Sequence, residues 1–281
     1  MEILSASMIS ASFFILVGIG QMLVITTGPG NIDLSVPYVI SFVGATACAI
    51  MGASNMNLPH GVVLGLLLGA AIGAFNFALI RFILMPPMIA TLASSLIVSS
   101  LNIYFFRALL ILPPSGLMWW VNRRLFGAPV LFLLVVLLAG ITQVVLTRTK
   151  YGRFIHAIGQ NIKAAWLSGI NVNLYKLISY MLSSMFAGLT GILLAAYIGG
   201  ATVDMGSEYM LNSVAVVVLG GSSIAGGDSN SVGIVGASIL LYMIVNLLNT
   251  LRLEAGWRYV ITGLVIVAII FISGDRMRRR G

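Results

Sequence analysis

The sequence predicts an all-α, polytopic transmembrane bundle, and three observations carry that prediction. Of 281 residues, 59% are hydrophobic and 8% charged, with a mean hydropathy of +1.08, a composition well outside that of soluble globular domains. The apolar residues are gathered into runs long enough to cross a hydrocarbon layer of about 30 Å, which takes about 20 residues of helix. No low-complexity linker separates the runs, so residues 1–281 read as a single membrane domain.

In chain order the long runs cover residues 8–26, 34–52, 61–83, 87–112, 127–147, 176–198, 231–250 and 257–273. The first is expected to be a retained span, because the residues before it contain no basic n-region and no cleavage site is evident. Pro37 falls at the start of the second, where its missing amide is tolerated. A shorter run, 209–224, is interrupted by Gly220 and Gly221. It is either a ninth crossing or a half-helix or re-entrant segment, and non-helical backbone at that depth needs protein or water around it. Gly65, Gly69 and Gly73 recur at four-residue spacing, with Gly233 and Gly236 later. Such residues let helices approach closely, within the chain or at a subunit contact.

The net charge of +8 does not point to nucleic acid, because the basic residues sit in loops and at the C-terminus, where orientation signals belong. Arg276, Arg278, Arg279 and Arg280 place the C-terminus in the cytoplasm, and nine crossings then leave the N-terminus outside. Arg81, Arg148, Lys150, Arg153, Lys163 and Lys176 join them on the inner side. Arg107, Arg123, Arg124, Arg252 and Arg258 fall outside. The single cysteine, Cys48, excludes an intrachain disulfide and a cysteine-rich metal site.

Catalytic chemistry finds no residues to work with. The acids are Glu2, Asp33, Asp204, Glu208, Asp228, Glu254 and Asp275, none at motif spacing from a histidine, and His60 and His156 fall on opposite sides of the membrane. Neither a triad nor a metal site follows, and a membrane enzyme is disfavoured. Gly220–Asp228 superficially resembles a phosphate loop but lacks its lysine, so no cofactor is expected here, and any ATP and magnesium would be bound by a separate ATPase subunit. The spans carry no acid or histidine relay, which counts against a proton-coupled carrier. Sodium coupling through backbone carbonyls stays open.

A charged island from Arg148 to Lys176 breaks the oily pattern. Within it Asn161 suits an N-cap and Gly169 a C-terminal stop, while Ile162, Ala165, Trp166 and Ile170 recur at helical spacing. The resulting helix of about two turns is too short to stand alone in water. It either lies on lipid headgroups, with Trp166 as anchor and Arg153 and Lys163 at phosphate, or docks a cytoplasmic protein.

Tyr151–Asn161 followed by Ala164–Ile170 resembles the cytoplasmic loop of permease subunits of bacterial ABC importers for ribose and related sugars, a family that includes autoinducer-2 permeases. Ile25–Ser35, Ala90–Ala93 and Val216–Gly227 resemble three further family segments, in family order. The resemblance implies that the short helix is a coupling helix received by an ATP-binding subunit, with Arg153, Gly159, Asn161, Ile162, Ala164, Ala165, Trp166 and Gly169 as its residues. It also implies a second permease chain, identical or not, an extracytoplasmic solute-binding protein near the loops 53–60, 113–124 and 199–208, and a multi-pass place in the bacterial inner membrane. Three departures stand out: Pro29-Gly30-Asn31 is one residue longer than the family's Gly-Gly, Pro37 replaces a glycine, and one initial span is absent, so a shortened subtype is expected. A permease for branched-chain amino acids or nucleosides is the nearest rival, and Asp33-Leu34-Ser35 favours the sugar branch. An ion-coupled secondary carrier is the rival from another class.

For the pathway the candidates are Asp33, Ser35, Asn76, Asn102 and Asn246. Neutral amides suit hydroxylated solutes because they donate and accept without attracting ions. Each has an alternative role in holding helices together, and Asp33 also suits a helix start.

Overall fold

The computed structural model describes residues 2–250 apart from 108, 110 and 126, together with 260, 261, 263 and 264. The run predicted at 257–273 is therefore described at only four positions, and the C-terminal arginines lie outside the described residues. Eleven α-helices occupy the described residues. Those of the first half are α1 (Glu2–Thr26), α2 (Val36–Met51), α3 (Leu58–Phe82), α4 (Pro87–Phe106), α5 (Ser115–Asn122) and α6 (Val130–Arg148). They are followed by α7 (Lys150–Gln160), α8 (Ile162–Leu167), α9 (Val172–Ile198), α10 (Tyr209–Leu219) and α11 (Ser231–Thr250).

Among the described residues, six helical segments are long and apolar enough to cross a membrane: Ser5–Thr26, Asn55–Phe82, Pro87–Phe106, Val130–Arg148, Val172–Ile198 and Ser231–Leu248. Helices α1 and α9 form the centre. α1 is buried along almost its whole length and touches α6, α9, α10 and α11, while α9 packs on α1, α2 and α3. The small residues permit this. Gly69 and Gly73 lie directly against the α9 backbone at Ser184 and Tyr180, and Gly65 meets Ala47 of α2 and Ile192 of α9. These contacts are within the chain, whereas Gly236 meets nothing among the described residues. Outward residues of α3, α4 and α6, such as Leu67, Leu96 and Leu137, are exposed apolar side chains, as a lipid-facing surface requires.

The bundle has two ends. The near face carries α7 and α8, the polar side of the island and Arg81 at the end of α3. The far face carries α5, His60 and the antiparallel pair Arg124–Leu125 with Ala128–Pro129. His156, in α7, is thus on the opposite face from His60. Helix α5 was not legible as a helix: the apolar run 87–112 stops being helical at Phe106, and Pro113 and Pro114 precede a short element that buries Leu117 and Val121. The island holds two helices where one was expected, and Lys176 belongs to α9, which begins at Val172.

Two crossings are only partly helical. Helix α2 has 16 residues and α10 has 11, about 24 and 16 Å of helix at 1.5 Å per residue, short of a core of about 30 Å. The remainder of each is turns and irregular chain. Residues 27–35 rise from the near face into α2, and residues 199–208, expected from sequence as a surface loop, descend from the far face into α10. α10 stops at Gly220, whose amide bonds Val216 O at 2.9 Å, and 220–230 continues to the near face. Gly199 ends α9 in the left-handed region, φ 84°, where a side chain would be strained.

Candidate functional site

The near face is assembled around α7 and α8. Thr149 Oγ1 accepts from Gly152 N at 3.4 Å and caps α7. Ile155 and Ile158 face inward while Lys150 and Arg153 are exposed, so α7 lies on the bundle as an amphipathic helix. Two polar ties fix it. Tyr151 Oη bonds Ser179 Oγ of α9 at 2.8 Å, and burial pushes the Tyr151 phenol up to about 12 despite that bond. His156 Nε2 bonds Ser229 Oγ at 2.7 Å. Burial lowers the pKa of this histidine, against the opposing pull of the Asp228 charge and the bond with Gly152.

Helix α8 begins at Asn161, whose Oδ1 accepts from Ala164 N at 3.0 Å, and Gly169 terminates it with φ 82°. The apolar stripe read from sequence divides in space. Ala165 is 4% exposed and turns inward, whereas Ile162 is 40%, Trp166 67% and Leu167 69% exposed. Ala164 and Lys163 are also exposed. Beside Trp166 an open cleft of about 340 Å³ is lined by Gly169, Ile170, Asn171, Val172 and Asn173. Leu167, which sequence reasoning passed over, is the most exposed apolar side chain of α8. Gly159 takes no part in that surface: it is buried against the Thr26 carbonyl and the Gly227 amide, with no room for a Cβ.

Behind α8, stretches far apart in sequence meet. Gly227 N donates to Thr26 O at 3.0 Å, Gly226 lies against Gly28, and Ile162 packs on Gly28. Thr91 Oγ1 accepts from Leu34 N at 3.0 Å and donates to Ile32 O at 3.1 Å. The segments around 25–35, 90–93, 151–170 and 216–227 thus form one contiguous region. The α7–α8 pair therefore rests on non-helical chain of both broken crossings, α8 on Gly28 through Ile162 and α7 on Gly227 through Gly159 and Gln160.

Asp33 stands at the upper end of 27–35. Its Oδ1 accepts from Ser35 N at 3.0 Å, Ser35 Oγ at 2.6 Å and Asn76 Nδ2 at 3.4 Å, and its Oδ2 accepts from Ser183 Oγ at 3.1 Å. Gln21, with its amide turned to suit its surroundings, pairs with the Asp33 backbone in both directions at 3.2 Å. The N-cap of α2 is Ser35, so Asp33 does more than start a helix: it ties α1, α2, α3 and α9 together. Gln21 and Ser183 were not singled out from sequence, since neither carries a pattern beyond being polar within a span. Ser35 and Asn76 belong to this knot, with Asn76 Nδ2 donating to Ser35 Oγ at 2.8 Å. Asn102 lies apart, on α4, donating from Nδ2 to Val203 O at 2.8 Å. Asn246 is half-buried on α11. Among the described residues no group of three or more histidine, cysteine, aspartate or glutamate side chains could hold a metal ion.

The family model described as "Branched-chain amino acid transport system / permease component" matches residues 3–270. The chain is 32% identical over 272 residues to the ribose import permease protein RbsC of Escherichia coli strain K12, covering 93% of this chain and 82% of RbsC. It is 32% identical over 281 residues to the autoinducer 2 import system permease protein LsrC of Photorhabdus luminescens, covering 94% and 80%. LsrC of Yersinia enterocolitica is 30% identical over 280 residues, covering 94% and 73%. No solved structure matches the chain.

Proposed function

The chain belongs to the family of branched-chain amino acid transport system permease components, and on that premise we propose that it is the membrane permease of an ATP-driven importer for a sugar or sugar-like polyhydroxylated solute. The observation that carries the coupling is the surface of α8. Ile162, Trp166 and Leu167 are exposed on a helix that meets Gly28 of the first broken crossing and follows directly on α7, which meets Gly227 of the second. An exposed apolar surface of this kind fits a hydrophobic groove in a partner, and the partner here is the ATP-binding subunit, which would hold magnesium and ATP and hydrolyse the ATP. Two permease chains would enclose the path, and a solute-binding protein would deliver cargo at the far face. The near face is then cytoplasmic, in keeping with its basic residues. The sugar class follows from the ribose and autoinducer-2 permeases among the relatives.

The test is co-purification of the ATPase subunit with the permease. Because Gly159 and Ala165 are buried, Gly159→Asp and Ala165→Glu would disturb packing as well as docking. Trp166→Ala with Leu167→Ala changes only exposed side chains. The double variant is expected to insert normally and to lose the ATPase subunit; undiminished co-purification would overturn the assignment. Deleting the ATPase subunit should also abolish uptake, whereas a secondary carrier would continue to work.

A further inference from the structure

The geometry points to the descending segment 201–208 as an acidic, water-filled constriction of the path, in which Asp204 and Glu208 meet a neutral or cationic solute and repel an anionic one. The proposal deepens the importer reading and rests on it for the identity of the path.

Three contacts measure the descent. Ala201 N donates to Ile111 O at 3.0 Å, at the far face. Val203 O accepts from Asn102 Nδ2, and Asn102 lies one helical turn, about 6 Å, before the end of α4. Gly206 N donates to Ser41 Oγ at 3.0 Å, and Ser41 lies about 15 Å along α2 from its far end. Gly206 also rests against the Pro37 carbonyl, where a Cβ would not fit. Over a few residues the chain therefore sinks from the far face to near the middle of a core of about 30 Å. Helix α10 starts only there.

Non-helical backbone at that depth survives only when enclosed by protein or facing a water-filled cavity, and intramembrane carboxylates almost always face the bundle interior or such a cavity. Enclosure does not describe this segment, because Thr202, Asp204, Ser207 and Glu208 are exposed while Gly206 is buried. One side is sealed to α2 and the other is open. Glu208 stands at the N-cap of α10 without a side-chain bond to it, so its carboxylate is not consumed by capping. A second observation is independent of the acids. Asn102 is fully buried, its Nδ2 is held by Val203, and its Oδ1 has no partner. A buried acceptor of that kind calls for a donor, which a hydroxyl-bearing solute or its water would bring. Carboxylates accept hydroxyl hydrogen bonds strongly, and in a low-dielectric wall they exclude like charge.

Thiol reactivity in the full-length permease reads this directly, since the one native cysteine, Cys48, is buried. Ser207→Cys, in proteoliposomes, is treated from the far face with small methanethiosulfonates, one cationic and one anionic. The cationic reagent is expected to react about tenfold faster, as acidic clefts concentrate cations, and the ratio should collapse towards one in Asp204→Asn with Glu208→Gln. A maleimide on a bulky polyethylene glycol should label Thr202→Cys but not Ser207→Cys. Equal rates for the two charged reagents, no reaction at Ser207→Cys, or ready labelling there by the bulky reagent would each overturn the proposal. None of these outcomes involves the ATPase subunit, so they leave the test of coupling intact.

Discussion

The two broken crossings solve the same problem with opposite treatment of their acids. Each replaces part of a span with turns and irregular chain: 27–35 below α2, from the near face, and 199–208 above α10, from the far face. In the first, Asp33 is buried and both its oxygens are filled by donors from its own turn, α3 and α9. In the second, Asp204 and Glu208 are exposed. A carboxylate whose acceptor sites are occupied by the protein acts on the fold. One whose sites are open at membrane depth is available to what passes through. The difference is in the neighbours, since the residue type and the non-helical setting are shared.

The largest effect should come from breaking the first member of that pair. Asp33→Ala would leave Ser35, Asn76 and Ser183 with unpaired buried donors and should destabilise the permease by about 3 kcal/mol or more, since each buried donor left unsatisfied costs roughly 1–3 kcal/mol. Glu208→Gln, on the second member, should stay within about 0.5 kcal/mol of wild type, as exposed substitutions do. Thermal unfolding of the two purified variants measures both. Equal losses would erase the distinction.

A smaller loss is expected where the two crossings touch. Gly159→Ala drives a Cβ into the Thr26 carbonyl and the Gly227 amide, and overpacking of that kind costs typically 1–3 kcal/mol. The substitution should lower the unfolding midpoint and weaken ATP-driven uptake while the exposed face of α8 is unaltered. Gly236→Ala, which meets nothing, is the matched control. If the two variants unfold alike, the close approach of α7 to both loops is not a constraint.

Much of this was legible in the chain. Apolar runs mark where the described spans lie because length and hydropathy largely decide them, though 87–112 overran its helix, which ends at Phe106, and Asn161 and Gly169 bound α8 because capping is local chemistry. Gly220 and Gly221 marked 209–224 as a broken element. Other features depend on contacts that no local pattern records. Ala165 turns inward while Trp166 turns out because α8 is too short for periodicity to fix its orientation, which the support beneath it decides. Asp33 resembled a helix start, but its partners Gln21 and Ser183 are distant in sequence. The segment 199–208 reads as a polar loop, since its descent is set by Ser41, Asn102 and the absence of a side chain at Gly206.

The smallest effect tests how the inner end of the second crossing is held. His156 joins α7 to Ser229, in the chain that follows α10, and burial depresses its pKa below the ordinary value of 6.5. The unfolded chain then takes up a proton at a higher pH than the native one. Stability should therefore fall as pH drops below the unfolded value of about 6.5 and level off once pH passes the depressed native value. His156→Asn cannot titrate and should lose this dependence. Unfolding midpoints at about pH 7.5 and pH 5.5 compare the two proteins across the unfolded value of about 6.5. A wild type whose midpoint falls no more than the variant's would show that the imidazole is not what makes this contact respond to acid. The contact itself would then hold the chain beyond α10 by the Gly227–Thr26 and Gly226–Gly28 approaches alone, leaving the two crossings joined by backbone packing.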